Sequence, residues 1–178
     1  MKFFKKRSVA LILCVLVVLG STVLNTRWKL GDDCEELDAL FRSKDGIAVQ
    51  LETLQEQADV LASVAEANEI DAAALRSASE EMLEALSQGS YGAAKLYRCY
   101  TRLRTELSNI RQALLSAQLS EQHSATANRS LEAIESAKTA LSASEYNKQV
   151  DSFLSRNGSS FTRLLASIAG VRLPEVFA

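Results

Sequence analysis

An apolar run sits behind a knot of positive charge at the start of this chain, and it limits every fold that can follow. Lys2, Lys5, Lys6 and Arg7 precede Ser8 to Leu24, which is almost wholly apolar, and the first acidic residue is Asp32. From Ser8 to Trp28 there are 21 residues, about 31 Å of helix at ~1.5 Å per residue, close to the thickness of a hydrocarbon core. Residues 8–28 are therefore expected to be a transmembrane anchor contacting the lipid bilayer. Trp28 would then stand at the interface, with Arg27 and Lys29 reaching toward headgroups. A basic cluster resists translocation, so residues 1–7 are expected in the cytoplasm and residues 29–178 on the far side. The competing reading is a cleaved signal, because Val9 to Leu19 is only 11 residues and Val18 and Gly20 precede a plausible cut before Ser21. Val23 and Leu24 resume the apolar character and favour the uncleaved anchor. Leu13, where a small residue would precede a lipidated Cys14, argues against a lipoprotein.

Charge separates sharply along the chain. Residues 1–30 hold six of the 20 Lys and Arg and none of the 22 acids, so residues 31–178 carry a balance of −8. An acidic body is a poor nucleic-acid binder, which needs clustered cations facing phosphates, and no nucleic-acid partner is expected. One proline and seven glycines leave few helix breaks, and strand periodicity is absent, so an all-α fold is predicted.

The body reads as stripes. Leu37, Leu40 and Phe41 form a short one, with Gly31-Asp32-Asp33 either loosening that helix or lying in it, and Asp45-Gly46 marks a turn. Leu51, Leu54, Ala58, Leu61 and Ala65 recur at helical spacing. Leu75, Ala78, Met82 and Leu86 continue the periodicity past Asn68-Glu-Ile-Asp71, so residues 46–86 fit one long helix or two. Ser87 to Gly92 is the strongest interior loop signal. Leu96, Tyr100, Leu103, Leu107, Ile110 and Leu114 then form a seam of coiled-coil type. A second loop is expected over Gln122 to Asn128. A further helix carries Leu131, Ile134, Leu141, Val150 and Phe153 to a left-handed cap at Asn157-Gly158. Phe161, Leu164, Leu165 and Ile168 make a short last helix closed by Gly170. The predicted architecture is an N-terminal transmembrane helix followed by an elongated antiparallel bundle of three to four long helices.

No catalytic set is legible. The only histidine, His123, lies among polar residues in the expected loop and reads as a surface side chain; no second nitrogen ligand exists for zinc, and neither metal nor cofactor is expected. Neither Cys34 nor Cys99 has the setting of a cysteine nucleophile. These two would both face an oxidising compartment, so a bridge between them and a pair of unpaired, partly buried thiols both stay open. Asp32-Asp33, Glu35-Glu36 and Glu80-Glu81 read as solvated faces rather than acid–base pairs. No enzyme activity is expected.

The C-terminal stretch has a different character. Glu145-Tyr146-Asn147-Lys-Gln-Val150 precedes Phe161 and Ala166, then Gly170-Val-Arg-Leu-Pro174-Glu-Val-Phe177. This resembles the LemA family of bacterial membrane-anchored helical proteins. That family has a Tyr-Asn-x-x-Val helix, a Phe-Pro turn, an apolar helix closing in Gly-Phe and a Pro-x-x-Phe tail. Tyr146, Asn147, Val150, Phe161, Gly170, Pro174 and Phe177 stand at matching positions, and Arg42-Ser-Lys-Asp45-Gly-Ile47 at the place of an Arg-Arg-x-Asp-Leu-Ile motif. Ala48 and Val49 replace its Pro-Asn, Thr162 stands where proline would, Leu154 replaces an asparagine of a second Tyr-Asn, and Ala143 an arginine. The resemblance implies a divergent single-pass protein of the bacterial cytoplasmic membrane and no reaction. The matching residues are either structural or partner-binding. Two roles follow: an interaction or scaffold factor at the cell envelope with a protein partner or second copy, or a small-ligand-binding sensory ectodomain working through a membrane partner.

Overall fold

The structure, a computed structural model, describes the backbone of residues 2–178 and the side chains of residues 9–178. The side chains of the basic cluster Lys2 to Arg7 lie outside the described residues. Among those described there are seven α-helices and no strand: α1 (Lys2–Phe41), α2 (Ile47–Glu66), α3 (Ala73–Leu86), α4 (Ala93–Ser116), α5 (Glu121–Ser142), α6 (Tyr146–Asn157) and α7 (Ser160–Ala169), with a 3-10 turn at Gly89–Gly92. The chain divides into two compact units, Met1–Glu36 with Ser152–Leu173, and Leu37–Asp151 with Pro174–Ala178.

In the larger unit α2 packs against α3, α4 and α5, and α3 also packs against α4. The stripes foreseen for these helices are their buried faces: Leu51, Leu54, Ala58, Leu61 and Ala65 on α2, Leu75, Ala78, Met82 and Leu86 on α3, and Leu96, Leu103, Leu107, Ile110 and Leu114 on α4, where Tyr100 of the same seam is only half-buried. Each fully buried Leu or Ile contributes roughly 1.5–3 kcal/mol relative to an exposed one, so these faces set which side of each helix turns inward.

Residues 46–86 form two helices. After α2 the backbone turns at Glu69, whose φ is 60°. Asn68 Nδ2 donates to the Val64 carbonyl at 2.7 Å, and Asp71 Oδ1 accepts from the Ala73 amide at 3.0 Å, so a polar side chain serves each broken end. Arg76 closes the corner with a two-pronged pair to Glu66 at 2.6 and 2.7 Å.

Three expected features differ. The second loop spans residues 117–120 rather than Gln122 to Asn128, because Ser120 caps α5 by accepting from the His123 amide. The helix expected through Leu141 and Val150 breaks at residues 143–145, where the Ser144 hydroxyl accepts from the Tyr146 amide that opens α6. Gly158 is not left-handed: among the described residues only Gly89 and Gly170 among glycines have positive φ. A Cβ at Gly158 would collide with the Leu154 carbonyl, and Ser159 starts α7 by accepting from the Thr162 amide.

In the smaller unit α1 continues through Gly31-Asp32-Asp33 without a break. Its residues Val9 to Ser21 are all exposed, with Leu11 at 66% and Val17 at 68%. Below them one stripe closes progressively: Thr22, Val23 and Thr26 are half-buried, Leu30 and Cys34 buried. Phe153, Ala166 and Ala169 are the buried residues of the other segment of this unit. Gly170, at φ 70°, ends α7 with the Val171 amide on the Ala166 carbonyl and its own amide on Ser167, a Schellman arrangement. All three cysteines are free thiols, Cys14 exposed, Cys34 buried and Cys99 half-buried.

Candidate functional site, a clasp on the C-terminal tail

Five of the seven motif residues, Tyr146, Asn147, Val150, Pro174 and Phe177, belong to the larger unit, and Tyr146 and Asn147 hold the last residues of the chain. The tail 174–178 has no helix or strand of its own. Its backbone polar groups must find partners outside regular structure. Asn147, in the first turn of α6, supplies two of them. Its Nδ2 donates to the Phe177 carbonyl and its Oδ1 accepts from the Phe177 amide, both at 2.8 Å. A side-chain amide used this way imitates a neighbouring strand and recognises backbone rather than side chain.

Tyr146 is fully buried, and its hydroxyl donates to the Glu175 carbonyl at 2.8 Å, with the Ser90 carbonyl at 3.4 Å. Its ring meets Phe41 edge-on at 5.2 Å. Burial, with the Asp38 carboxylate nearby, pushes the phenol well above its ordinary value, so it stays a donor. From the other side, the Glu175 amide donates to the Ser90 carbonyl at 3.1 Å, and the Glu175 carboxylate accepts from the Ala94 amide at the start of α4. That is a favourable place for an anion. The Phe177 ring is buried, edge-on to Tyr97 at 5.2 Å and tilted against Tyr100 at 5.8 Å.

Ser90 is the pivot, and Asp38 positions it. Asp38 Oδ1 accepts from the Ser90 amide at 3.1 Å and hydroxyl at 2.7 Å, while its Oδ2 accepts from Arg42 Nε at 2.9 Å. Burial alone would raise this carboxyl. The two Ser90 bonds and the Arg42 guanidinium outweigh it and hold Asp38 below its ordinary 3.8. Gly89 makes the approach feasible: φ is 61°, and a Cβ there would stand 2.9 Å from Asp38 Oδ1 and 2.5 Å from Arg42 Nη2.

The remaining candidates fall elsewhere. Phe161 and Gly170 belong to the smaller unit, Phe161 being 66% exposed. His123 is half-buried on the first turn of α5, not in a loop, and its Nδ1 accepts from Asn68 Nδ2 at 2.9 Å, joining α5 to the end of α2. Asp38, Ser90, Glu175 and this Asn68–His123 pair escaped sequence reading. The one available hint was Asp38 four residues before Arg42, the spacing of a helical ion pair.

The bonds of the clasp fall on the backbone of the tail, at Glu175 and Phe177. Among the described residues no group of three His, Cys, Asp or Glu is placed to hold a metal ion. An open cleft of about 430 Å³ lies between the end of α4 and the start of α5, lined by Arg111, Leu114, Leu115, Gln118, Ser124 and Asn128. Comparison of the chain with family models, curated proteins and solved structures finds no match.

Proposed function

We propose that the chain is a non-enzymatic, single-pass membrane-anchored helical protein, similar to the LemA family, that serves as an interaction or scaffold factor at the bacterial cell envelope. Residues 8–28 cross the cytoplasmic membrane, residues 1–7 stay in the cytoplasm, and residues 29–178 form an extracytoplasmic helical bundle. The observation that carries this reading is the uncovered apolar surface of α1 from Val9 to Leu19. It is continuous with a helix long and apolar enough to cross a bilayer. Such a surface is costly in water and stable in lipid. The clasp supports an interaction role, since its bonds grip backbone. Carbonate washing of membrane vesicles, with protease treatment of intact spheroplasts, tests the anchor. The full-length chain should stay in the pellet and lose its C-terminus to protease; release into the wash, or a protected C-terminus, overturns the placement. Purification in detergent should return a stoichiometric partner or homo-oligomer, and a solitary monomer would refute the scaffold role.

The cleft between α4 and α5 favours a second reading, a small-ligand sensor acting through a membrane partner. Arg111 and Asn128 would orient the ligand there. Under that reading a ligand that raises the melting temperature of the native chain should lose its effect in Arg111→Ala.

A further inference from the structure

Helix α7 presents three distinct faces. At about 100° per residue, Leu164, Ile168 and Phe161 fall within one narrow sector with Leu165 at its edge. Ala166 and Ala169, both buried, lie with half-buried Thr162 in a second sector, and Ser160, Arg163 and Ser167 occupy the third. The inward side is therefore small and the large apolar side chains point out: Phe161, Leu164 and Ile168 are 66%, 58% and 62% exposed. Single exposed apolar residues are ordinary, but a continuous stripe on one helix marks a surface awaiting a partner.

Two observations select that partner. Residues 152–173 carry Arg156, Arg163 and Arg172 and no acid, whereas the rest of residues 31–178 has 11 bases against 22 acids. A helix with one apolar face, flanked by cations in an otherwise acidic body, has the composition of a segment lying on anionic lipid. The second observation is depth. The compact unit that contains α7 is completed by α1 up to Glu36. The covered stripe on α1 begins at Thr22, about 9 Å of helix before Trp28 at ~1.5 Å per residue. If residues 8–28 cross the bilayer, whatever covers Thr22, Val23 and Thr26 sits at the level where headgroups meet acyl chains.

We infer that α7 is an interfacial helix, embedded in the outer leaflet with Phe161, Leu164 and Ile168 among acyl chains and Arg163 and Arg172 at anionic phosphates. The inference rests on residues 8–28 being a membrane span. It gives the smaller unit two attachments, one crossing the bilayer and one lying in its surface.

Tryptophan scanning in a Trp28→Phe background separates the two. The full chain is placed in vesicles of phosphatidylcholine and phosphatidylglycerol whose acyl chains are brominated, with one tryptophan at Leu13, Ile168 or Ser167. Leu13→Trp and Ile168→Trp should both be quenched, and Ile168→Trp at least about twofold more strongly than Ser167→Trp on the polar sector. Quenching at Leu13 with equal, weak quenching at 167 and 168 keeps the anchor and overturns the interfacial helix. Absence of quenching at all three positions removes the anchor, and the inference falls with it. Unquenched, blue-shifted Ile168→Trp emission that reddens on dilution in lipid assigns the face to a second copy and overturns the proposal.

Discussion

Asn147 and Tyr146 grip the same tail by different chemistry, and substitution distinguishes their contributions. Asn147→Ala removes a donor and an acceptor together and leaves both backbone groups of Phe177 without their partners. The expected loss is about 1–3 kcal/mol, because stranded polar groups retain their desolvation penalty. Tyr146→Phe keeps the ring against Phe41 and removes only the hydroxyl, for an expected loss of about 0.5–1.5 kcal/mol. Denaturant melts of the detergent-solubilised chain, with limited proteolysis of the C-terminus, check the order; a neutral Asn147→Ala would show that the tail is held by Phe177 packing alone. Asp38 adds a pH dependence. Its carboxyl is held below 3.8 in the folded chain, so the unfolded chain takes up its proton first as pH falls. The stabilisation is complete above that ordinary value and is lost as pH drops through the lower folded one. Asp38→Asn should therefore flatten the acid limb of the stability–pH curve, and curves that run parallel would refute the role given to the Ser90 and Arg42 bonds.

At the scale of elements, two left-handed glycines occupy unequal settings. Gly170 has open space where a Cβ would go, so Gly170→Ala carries only the conformational penalty of φ 70°, about 1 kcal/mol. Gly89→Ala adds a clash with the Asp38 carboxylate that orients Ser90, and its loss should exceed that of Gly170→Ala by at least about 1 kcal/mol. Equal losses in melts of the two variants would mean that Asp38 can move aside freely. The same contrast explains what could be read in advance. Apolar stripes on α2, α3 and α4 were legible because burial repeats over many residues, and a repeated signal survives local ambiguity. Breaks at residues 117–120 and 143–145 were not, because each depends on one serine cap, Ser120 or Ser144, without glycine or proline to announce it. The clasp was legible only on its α6 and tail side, through Tyr146, Asn147, Pro174 and Phe177. Asp38 and Ser90 stand 52 residues apart, and no local pattern ties an acid on one helix to a serine in a distant turn.

For the molecule as a whole, the decisive question is whether the N-terminal run serves the fold or the membrane. Val9 to Leu19 touches nothing that folding would bury: every side chain there is exposed. Charges placed in it should therefore leave the rest of the chain intact. Leu13→Arg with Val17→Arg should cost about 5–7 kcal/mol of membrane insertion, taking ~2.5–3.5 kcal/mol per arginine at the centre of a span. The double variant should appear in the carbonate-soluble fraction, while its denaturation midpoint in detergent-free buffer matches that of a chain lacking residues 1–20. A core helix predicts the opposite, because buried arginines without partners would collapse the melting transition. Retention in the pellet with an unchanged transition would refute residues 8–28 as the span that holds the chain in the membrane.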